Sequence, residues 1–255
     1  MNKVLILFFL IFLIGCSNKP KSLDNGLTKK ASKITEYIIN VKKDSLGNEI
    51  KDTLSIIEKK YNGNNQIINR VEQYLYSNES MQIKYDYNEN EKLRREIVKL
   101  SNDSTSIIVN YFYKDTLLLK TLSETKNNAF YYKQIGRYKY NTENTLKQLS
   151  LFQYFIDVES NDTIAKTIEV NNYDKKKLLT KSILSNFTEP EKSRTTKYEY
   201  DSRTLIKTRE FNSKDSLILE TVYKYEFDEF KNWIRKEAFE NDILNYINTR
   251  KIEYK

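Results

Sequence analysis

The side chains that carry most enzymatic chemistry are scarce in this chain. Histidine is absent and cysteine occurs once, at Cys16. A Ser-His-Asp triad and a His-ligated metal site are therefore excluded. The five glycines, Gly15, Gly26, Gly47, Gly63 and Gly136, form no phosphate-cradling loop. Paired carboxylates remain, as in glycoside hydrolysis, where two acidic groups stand roughly 5–10 Å apart. The 35 acidic residues could supply a pair, but spacing marks out no two of them. Asp-Ser and Asp-Thr pairs recur at Asp52-Thr53, Asp162-Thr163 and Asp215-Ser216. They lack the ligand density of a calcium loop and read as turns whose side chains bond nearby backbone amides. The chain is thus expected to have no catalytic, cofactor-binding or metal-binding residues and to be non-enzymatic.

The elements that must position any site are built from an unusual mixture. Of 255 residues, 20 are Tyr and 12 Phe, 31% are charged, and mean hydropathy is −0.70. Apolar surface is short, so burial has to come from tyrosines, which offer an apolar ring and a wettable tip. The net charge of +8 is the difference of 43 basic and 35 acidic residues. Both signs are interspersed, as on a solvated surface. No basic run or fold signature points to nucleic acid, which is not expected as a partner.

The chain opens Met1-Asn2-Lys3 and continues with eleven apolar residues, Val4 to Ile14. That run fits a signal-peptide core of roughly 7–15 residues and falls short of the about 20 needed for a spanning helix. It ends Leu13-Ile14-Gly15-Cys16. This resembles the bacterial lipobox. The resemblance implies cleavage after Gly15, acylation of Cys16 and anchoring in a membrane. Ser17, where sorting in Gram-negative bacteria distinguishes Ser from Asp, implies the outer membrane. The absence of an acidic cluster in Asn18–Ser22 points to its periplasmic face. With no second cysteine the exported domain must be stable without internal disulfides. Expected divisions are a signal peptide at 1–15, a lipidated Cys16 with a polar tether at 16–33, and a folded domain at 34–255.

That domain reads as a repeat. A marker aromatic falls at Tyr61, Tyr87, Tyr113, Tyr140, Tyr173, Tyr200, Phe227 and Tyr254, at steps of 26, 26, 27, 33, 27, 27 and 27 residues. Two residues earlier stand Lys59, Tyr85, Tyr111, Tyr138, Asn171, Tyr198, Tyr225 and Ile252, mostly aromatic or apolar. The residue between is polar in seven of the eight copies. This is the alternation of a strand with one buried and one wet face. Asp or Asn usually follows the marker and favours a turn. Six residues after it stand Ile67, Leu93, Leu119, Leu146, Leu179, Ile206 and Trp233. Each unit therefore predicts a hairpin in which the marker faces an apolar residue on the return strand. A second turn is expected at the Asp-Ser and Asp-Thr pairs, at Asn102-Asp103-Ser104 and at Asn241-Asp242. The long unit between Tyr140 and Tyr173 is expected to carry a loop or extended hairpin at Asp157–Asn161. Residues 34–60 read as a degenerate first hairpin turning at Asp44-Ser45-Leu46-Gly47-Asn48.

The segment Tyr225-Glu226-Phe227-Asp228-Glu229-Phe230-Lys231-Asn232-Trp233 is similar to YD-type (RHS-like) hairpin repeats, with Lys231 where those units carry glycine. The resemblance implies strand–turn–strand repeats over most of 57–255. The fold expected is all-β: an antiparallel meander of about sixteen strands. An open sheet that wide curls, so a curled sheet, an open barrel or a short solenoid is expected. An outer-membrane barrel is disfavoured because return strands carry charges at many depths, as in Arg94-Arg95-Glu96 and Lys207, Arg209 and Glu210. The function expected is a lipid-anchored envelope module that binds or scaffolds an envelope protein or glycan. The alternative is a carboxylate-dependent hydrolase of envelope polysaccharide.

Overall fold

The structure, a computed structural model, describes residues 27, 29–102, 106–126 and 130–255. Gly15, Cys16 and the expected tether up to residue 26 lie outside them. Sixteen strands run through the described residues: β1 (Ala31–Lys43), β2 (Glu49–Tyr61), β3 (Ile67–Tyr74), β4 (Glu79–Tyr87), β5 (Leu93–Leu100), β6 (Ser106–Lys114), β7 (Leu117–Lys126) and β8 (Phe130–Tyr140). They continue as β9 (Leu146–Asp157), β10 (Thr163–Tyr173), β11 (Leu179–Asn186), β12 (Arg194–Asp201), β13 (Thr204–Asn212), β14 (Leu217–Phe227), β15 (Trp233–Glu240) and β16 (Ile243–Tyr254). The repeat domain opens at Ala31, three residues inside the stretch read as tether.

Each strand pairs antiparallel with the next, and β16 pairs with β1, so the meander closes into a barrel. This corrects the open sheet or solenoid expected from sequence. An open meander leaves two edges of unpaired backbone groups. Here those edges are two long strands, β1 and β16, which satisfy one another from Ala31–Tyr254 to Asn40–Tyr246. The first hairpin, read as degenerate, has two strands of 13 residues and supplies half of that seam.

The eight markers stand at or next to the ends of the eight even-numbered strands, all at one rim. In five units the marker pairs with the residue six positions later: Tyr61–Ile67, Tyr87–Leu93, Tyr140–Leu146, Tyr173–Leu179 and Phe227–Trp233. In two it does not. Tyr113 pairs with Leu118 and Tyr200 with Leu205, because Asp115-Thr116 and Ser202-Arg203 are shorter turns. Leu119 and Ile206 are thereby turned outward, 40% and 38% exposed. Asp52-Thr53-Leu54 is not a turn but lies within β2. Leu54 is the extra residue of a bulge between the Ser55–Ile38 and Thr53–Ile39 pairs. The long unit is an extended hairpin, with β9 and β10 of 12 and 11 residues joined at 158–162. Of Asn102-Asp103-Ser104, the last two lie outside the described residues.

The five-residue turns share one mechanism. After Tyr87, the Asn88 side chain accepts the backbone N–H groups of Asn90 and Lys92, while Asn88 N–H donates to the Lys92 carbonyl. Asn62, Asn141, Asn212 and Asp228 repeat the pattern. The fourth residue of each turn is left-handed, at φ 59° for Asn65, 58° for Glu91, 65° for Lys177 and 59° for Lys231. Only glycine adopts this region without steric cost. Lys231→Gly should therefore raise unfolding stability by up to about 1 kcal/mol, read as a higher denaturant midpoint at unchanged slope. An unchanged or lower midpoint would count against strain at this turn.

The inward face carries the core. Met81, Ile83 and Val98 pack with Ile107, Val109 and Tyr111 on β4–β6. Tyr138, Leu149 and Leu151 pack with Tyr173 and Leu179 on β8–β11. Leu100 on β5 packs against Tyr132, Phe155 and Ala165 on β8–β10. Three strand spacings separate β5 from β8, about 14 Å along the sheet, so side chains bridge the curve of the wall. Inward residues of β4–β10 such as Ile83, Leu149 and Tyr132 are at most 2% exposed. This sector is filled by side chains, whereas Thr196, Tyr198, Thr208 and Tyr223 on β12–β14 are only half-buried.

The outer wall is wet. Asp86 pairs with Arg94 and Arg95, Glu124 with Lys133, and Glu220 with Lys207 and Arg209. Between these pairs, lysines lie over aromatic rings: Lys120 over Phe112, Lys197 over Phe211 and Lys224 over Phe239, at 5.6, 4.7 and 4.5 Å. The stems cover the rings and the charged heads reach water.

Candidate functional site

Two arrangements bring polar side chains together: a ring of tyrosines at one rim and a line of charges within the barrel. The rim follows directly from the repeat. The hydroxyl of each of three markers reaches sideways to the preceding hairpin. Tyr87 donates to the Ile67 carbonyl at 2.8 Å, Tyr113 to Leu93 at 3.0 Å and Tyr140 to Leu118 at 2.8 Å. Each acceptor is the residue that pairs with the previous marker. The markers thus latch neighbouring hairpins, which explains Tyr rather than Phe at these three positions. Partial burial raises the Tyr87 and Tyr113 hydroxyls to about 12, so they stay protonated donors at neutral pH. Phe227 has no hydroxyl and is 49% exposed. Tyr61 and Tyr173 are buried packing residues, and Tyr200 is half-buried.

Tyr254 closes the ring at the seam. Its hydroxyl donates to the Asp228 carboxylate and accepts from Asn232 Nδ2 at 2.7 Å. Partial burial pushes the Asp228 carboxyl up, but donors from Tyr254, Asn232 and Phe230 outweigh it and leave it below the usual range. Tyr113→Phe should cost about 1 kcal/mol, because the Leu93 carbonyl loses its hydroxyl donor with little change in packing. Chemical denaturation checks this, and Phe227→Tyr serves as a control at a position that uses no latch.

The charged line runs from the seam into the first hairpins. Glu36 on β1 lies 3.2 Å from Arg250 on β16 and 3.7 Å from Lys59 on β2, with all three side chains at most 8% exposed. Asn248 Nδ2 donates to Glu36 at 3.3 Å. One strand on, Arg70 and Glu72 pair at 2.7 Å. On β5, Glu96 is 1% exposed and accepts the Tyr111 hydroxyl at 2.7 Å. Glu36, Glu72 and Glu96 thus lie on the inward face together with Lys59, Arg70 and Arg250. The Arg250 guanidinium also lies 3.3 Å from the Trp233 ring centroid, so Trp233 packs and caps a charge at once.

These inward charges went unread in the sequence, although one signal was present. Lys59 stands two residues before a marker, where most copies carry an aromatic. A charge in phase with buried positions needs a partner, and Glu36 provides it. Glu36 and Glu72 are held by cations and Glu96 by a phenol, so none of the three stands out as a general acid or base. Among the described residues no group of three or more His, Cys, Asp or Glu is placed to hold a metal ion. The turn carboxylates Asp44, Asp174 and Asp228 accept backbone N–H groups.

The fold and these faces define a class: an up-and-down antiparallel β-barrel of sixteen strands, packed and charge-paired within. Its shape matches solved structures closely enough to align nearly the whole of them. A porin-like protein from Bacteroides uniformis aligns with TM-score 0.54 at 10% identity, over 88% of this chain and 98% of its own. A porin-like protein from Bacteroides vulgatus aligns with TM-score 0.54 at 11% identity, over 89% of this chain and 99% of its own. No protein-family model and no curated protein matches the chain.

Proposed function

We propose that the protein is a bacterial envelope lipoprotein, anchored through acylated Cys16, whose barrel stands beside the bilayer as a non-enzymatic binding or scaffold module. One observation carries the reading: charged groups interrupt the outer wall between the two rims, as in the Glu124–Lys133 and Lys207–Glu220–Arg209 groups. A membrane-spanning barrel presents an apolar band there and keeps its polar groups within. Here apolar clusters lie inside the barrel beside the buried ion pairs, and charged pairs interrupt the outer face. The lipobox-like Leu13-Ile14-Gly15-Cys16 supplies the attachment, and several acyl chains give stable anchoring where one is marginal. The likeness to porin-like barrels supports an address in the envelope, and Ser17 supports the outer membrane at its periplasmic face.

The chain enters the barrel at the tyrosine rim, where Ala31 pairs with Tyr254. The 14 residues from Ser17 to Lys30 reach at most about 50 Å, so the anchor tethers this rim. Cys16→Ser should abolish lipid labelling and release a folded barrel to the soluble fraction. A variant that stays in the membrane fraction would overturn both the anchor and the placement beside the bilayer.

A further inference from the structure

The two rims of the barrel differ in a way that no packing need explains. At the tyrosine rim the turn residues are almost all polar. The large apolar exceptions, Leu178 and Phe230, are tucked in: Leu178 is 3% exposed, and Phe230 meets the Tyr254 ring edge to face with Lys29 over its own ring. At the opposite rim each fully described connection carries a large exposed apolar side chain, either in the turn itself (Leu46, Tyr76, Phe187) or in the first two residues of the strand that follows (Ile164, Leu217, Ile243), whereas beside the tyrosine turns the exposed ones are Phe227, Leu119 and Ile206, at 49%, 40% and 38%. Leu46 is 85% exposed, Tyr76 68%, Ile164 40%, Phe187 54%, Leu217 52% and Ile243 60%. Apolar groups gathered at one end of a soluble molecule mark a contact surface.

The charge around these groups selects the occupant. Over the turns at 44–48, 75–78, 158–162, 187–193, 213–216 and 241–242 there are seven acidic residues against two basic ones, Lys192 and Lys214. Glu159, Glu191, Asp215 and Asp242 are exposed beside the apolar tips. An acidic rim repels an anionic lipid surface and repels its own copy in a rim-to-rim dimer. It attracts a cationic partner, which the rest of this surface, basic overall, does not. The rim also lies at the end of the barrel away from the entering chain.

We propose that this rim docks a protein partner through a cationic, amphipathic segment, whose apolar residues meet Leu46, Tyr76, Phe187 and Ile243 while its Lys or Arg residues meet the acidic turns. The proposal names the partner class of the binding module above, and it does not depend on the lipid anchor. The probe is a Leu/Lys amphipathic helical peptide, titrated into the full chain in non-ionic detergent. A Leu/Glu peptide of the same pattern and phosphatidylcholine vesicles are the comparisons.

The Leu/Lys peptide should bind and the Leu/Glu peptide should not. Leu46→Ser, Tyr76→Ser, Phe187→Ser and Ile243→Ser together should weaken binding by about tenfold or more, while Leu119→Ser with Ile206→Ser near the other rim should not. A second variant, Glu159→Lys, Glu191→Lys and Asp242→Lys, changes exposed turn charges without touching the apolar tips and should lose binding equally. Equal binding of both peptides, indifference to both rim variants, or rim-dependent capture by vesicles would overturn the proposal. A Cys16→Ser protein that stays in the membrane would overturn the anchor and leave this result standing.

Discussion

Glu36→Ala should destabilise the barrel by about 3–5 kcal/mol, the cost of breaking a buried ion pair and stranding its partners. Glu36 lies between Lys59 and Arg250, and its carboxylate pairs with both. All three side chains are at most 8% exposed, so water cannot replace the lost charge without opening the seam. Coulomb attraction in such a site is large, but so is the cost of desolvating the ions, and the two nearly cancel while the pair is intact. Removing one partner takes away the attraction and keeps the desolvation cost. The effect should therefore exceed that of an exposed pair. Glu124→Ala, which breaks a pair with Lys133 at 43% and 33% exposure, should cost no more than about 1 kcal/mol. Denaturant midpoints at constant slope measure both. Equal effects would show that the interior line is wet. Replacing Glu36, Lys59 and Arg250 together with Leu, Met and Met should recover much of the loss, because no uncompensated charge then remains.

Gly136→Ala should cost about 1–3 kcal/mol, although alanine normally favours folding at a position with ordinary backbone angles. The conformational gain is about 0.4–1 kcal/mol from a restricted unfolded chain. Sterics oppose it. A Cβ at this position would stand 2.2 Å from Thr121 Oγ1 and 3.3 Å from Leu151 Cδ2. Thr121 and Leu151 are the direct cross-strand partners of Gly136 on β7 and β9 and are 3% and 2% exposed, so neither can swing away. Overpacking therefore wins. Thr121→Ala removes the offending hydroxyl, and in that background Gly136→Ala should be nearly neutral. A double-mutant cycle should thus give a coupling of about 1 kcal/mol or more. Additive effects would place the clash elsewhere.

Much of the architecture was legible because it is local. Alternation around Tyr85, Tyr111 and Tyr138 reports a strand with one buried face, and Asn88 or Asp228 after the marker reports the turn. Both act within a few residues, so spacing alone reveals them. Leu119 and Ile206 misled because two-residue turns replace five-residue ones, which shifts the return strand by one and turns the next side chain outward. Asp52-Thr53 misled because a turn-forming pair also fits beside a bulge in a strand. The interior charges were harder to see. Glu36 and Arg250 are 214 residues apart in the chain, and nothing in either neighbourhood names the other.

By itself the sequence determined the hairpin unit, its period, the rim on which the tyrosines gather and the shortage of catalytic side chains. Only the tertiary structure decided that the meander closes, that closure buries Glu36 between Lys59 and Arg250, and that the marker hydroxyls of Tyr87, Tyr113 and Tyr140 latch neighbouring hairpins. The division has a physical cause. Turn chemistry and strand alternation are energies of adjacent residues. Closure is a competition between satisfying two distant edges and leaving them open, settled by the twist and tilt of all sixteen strands together.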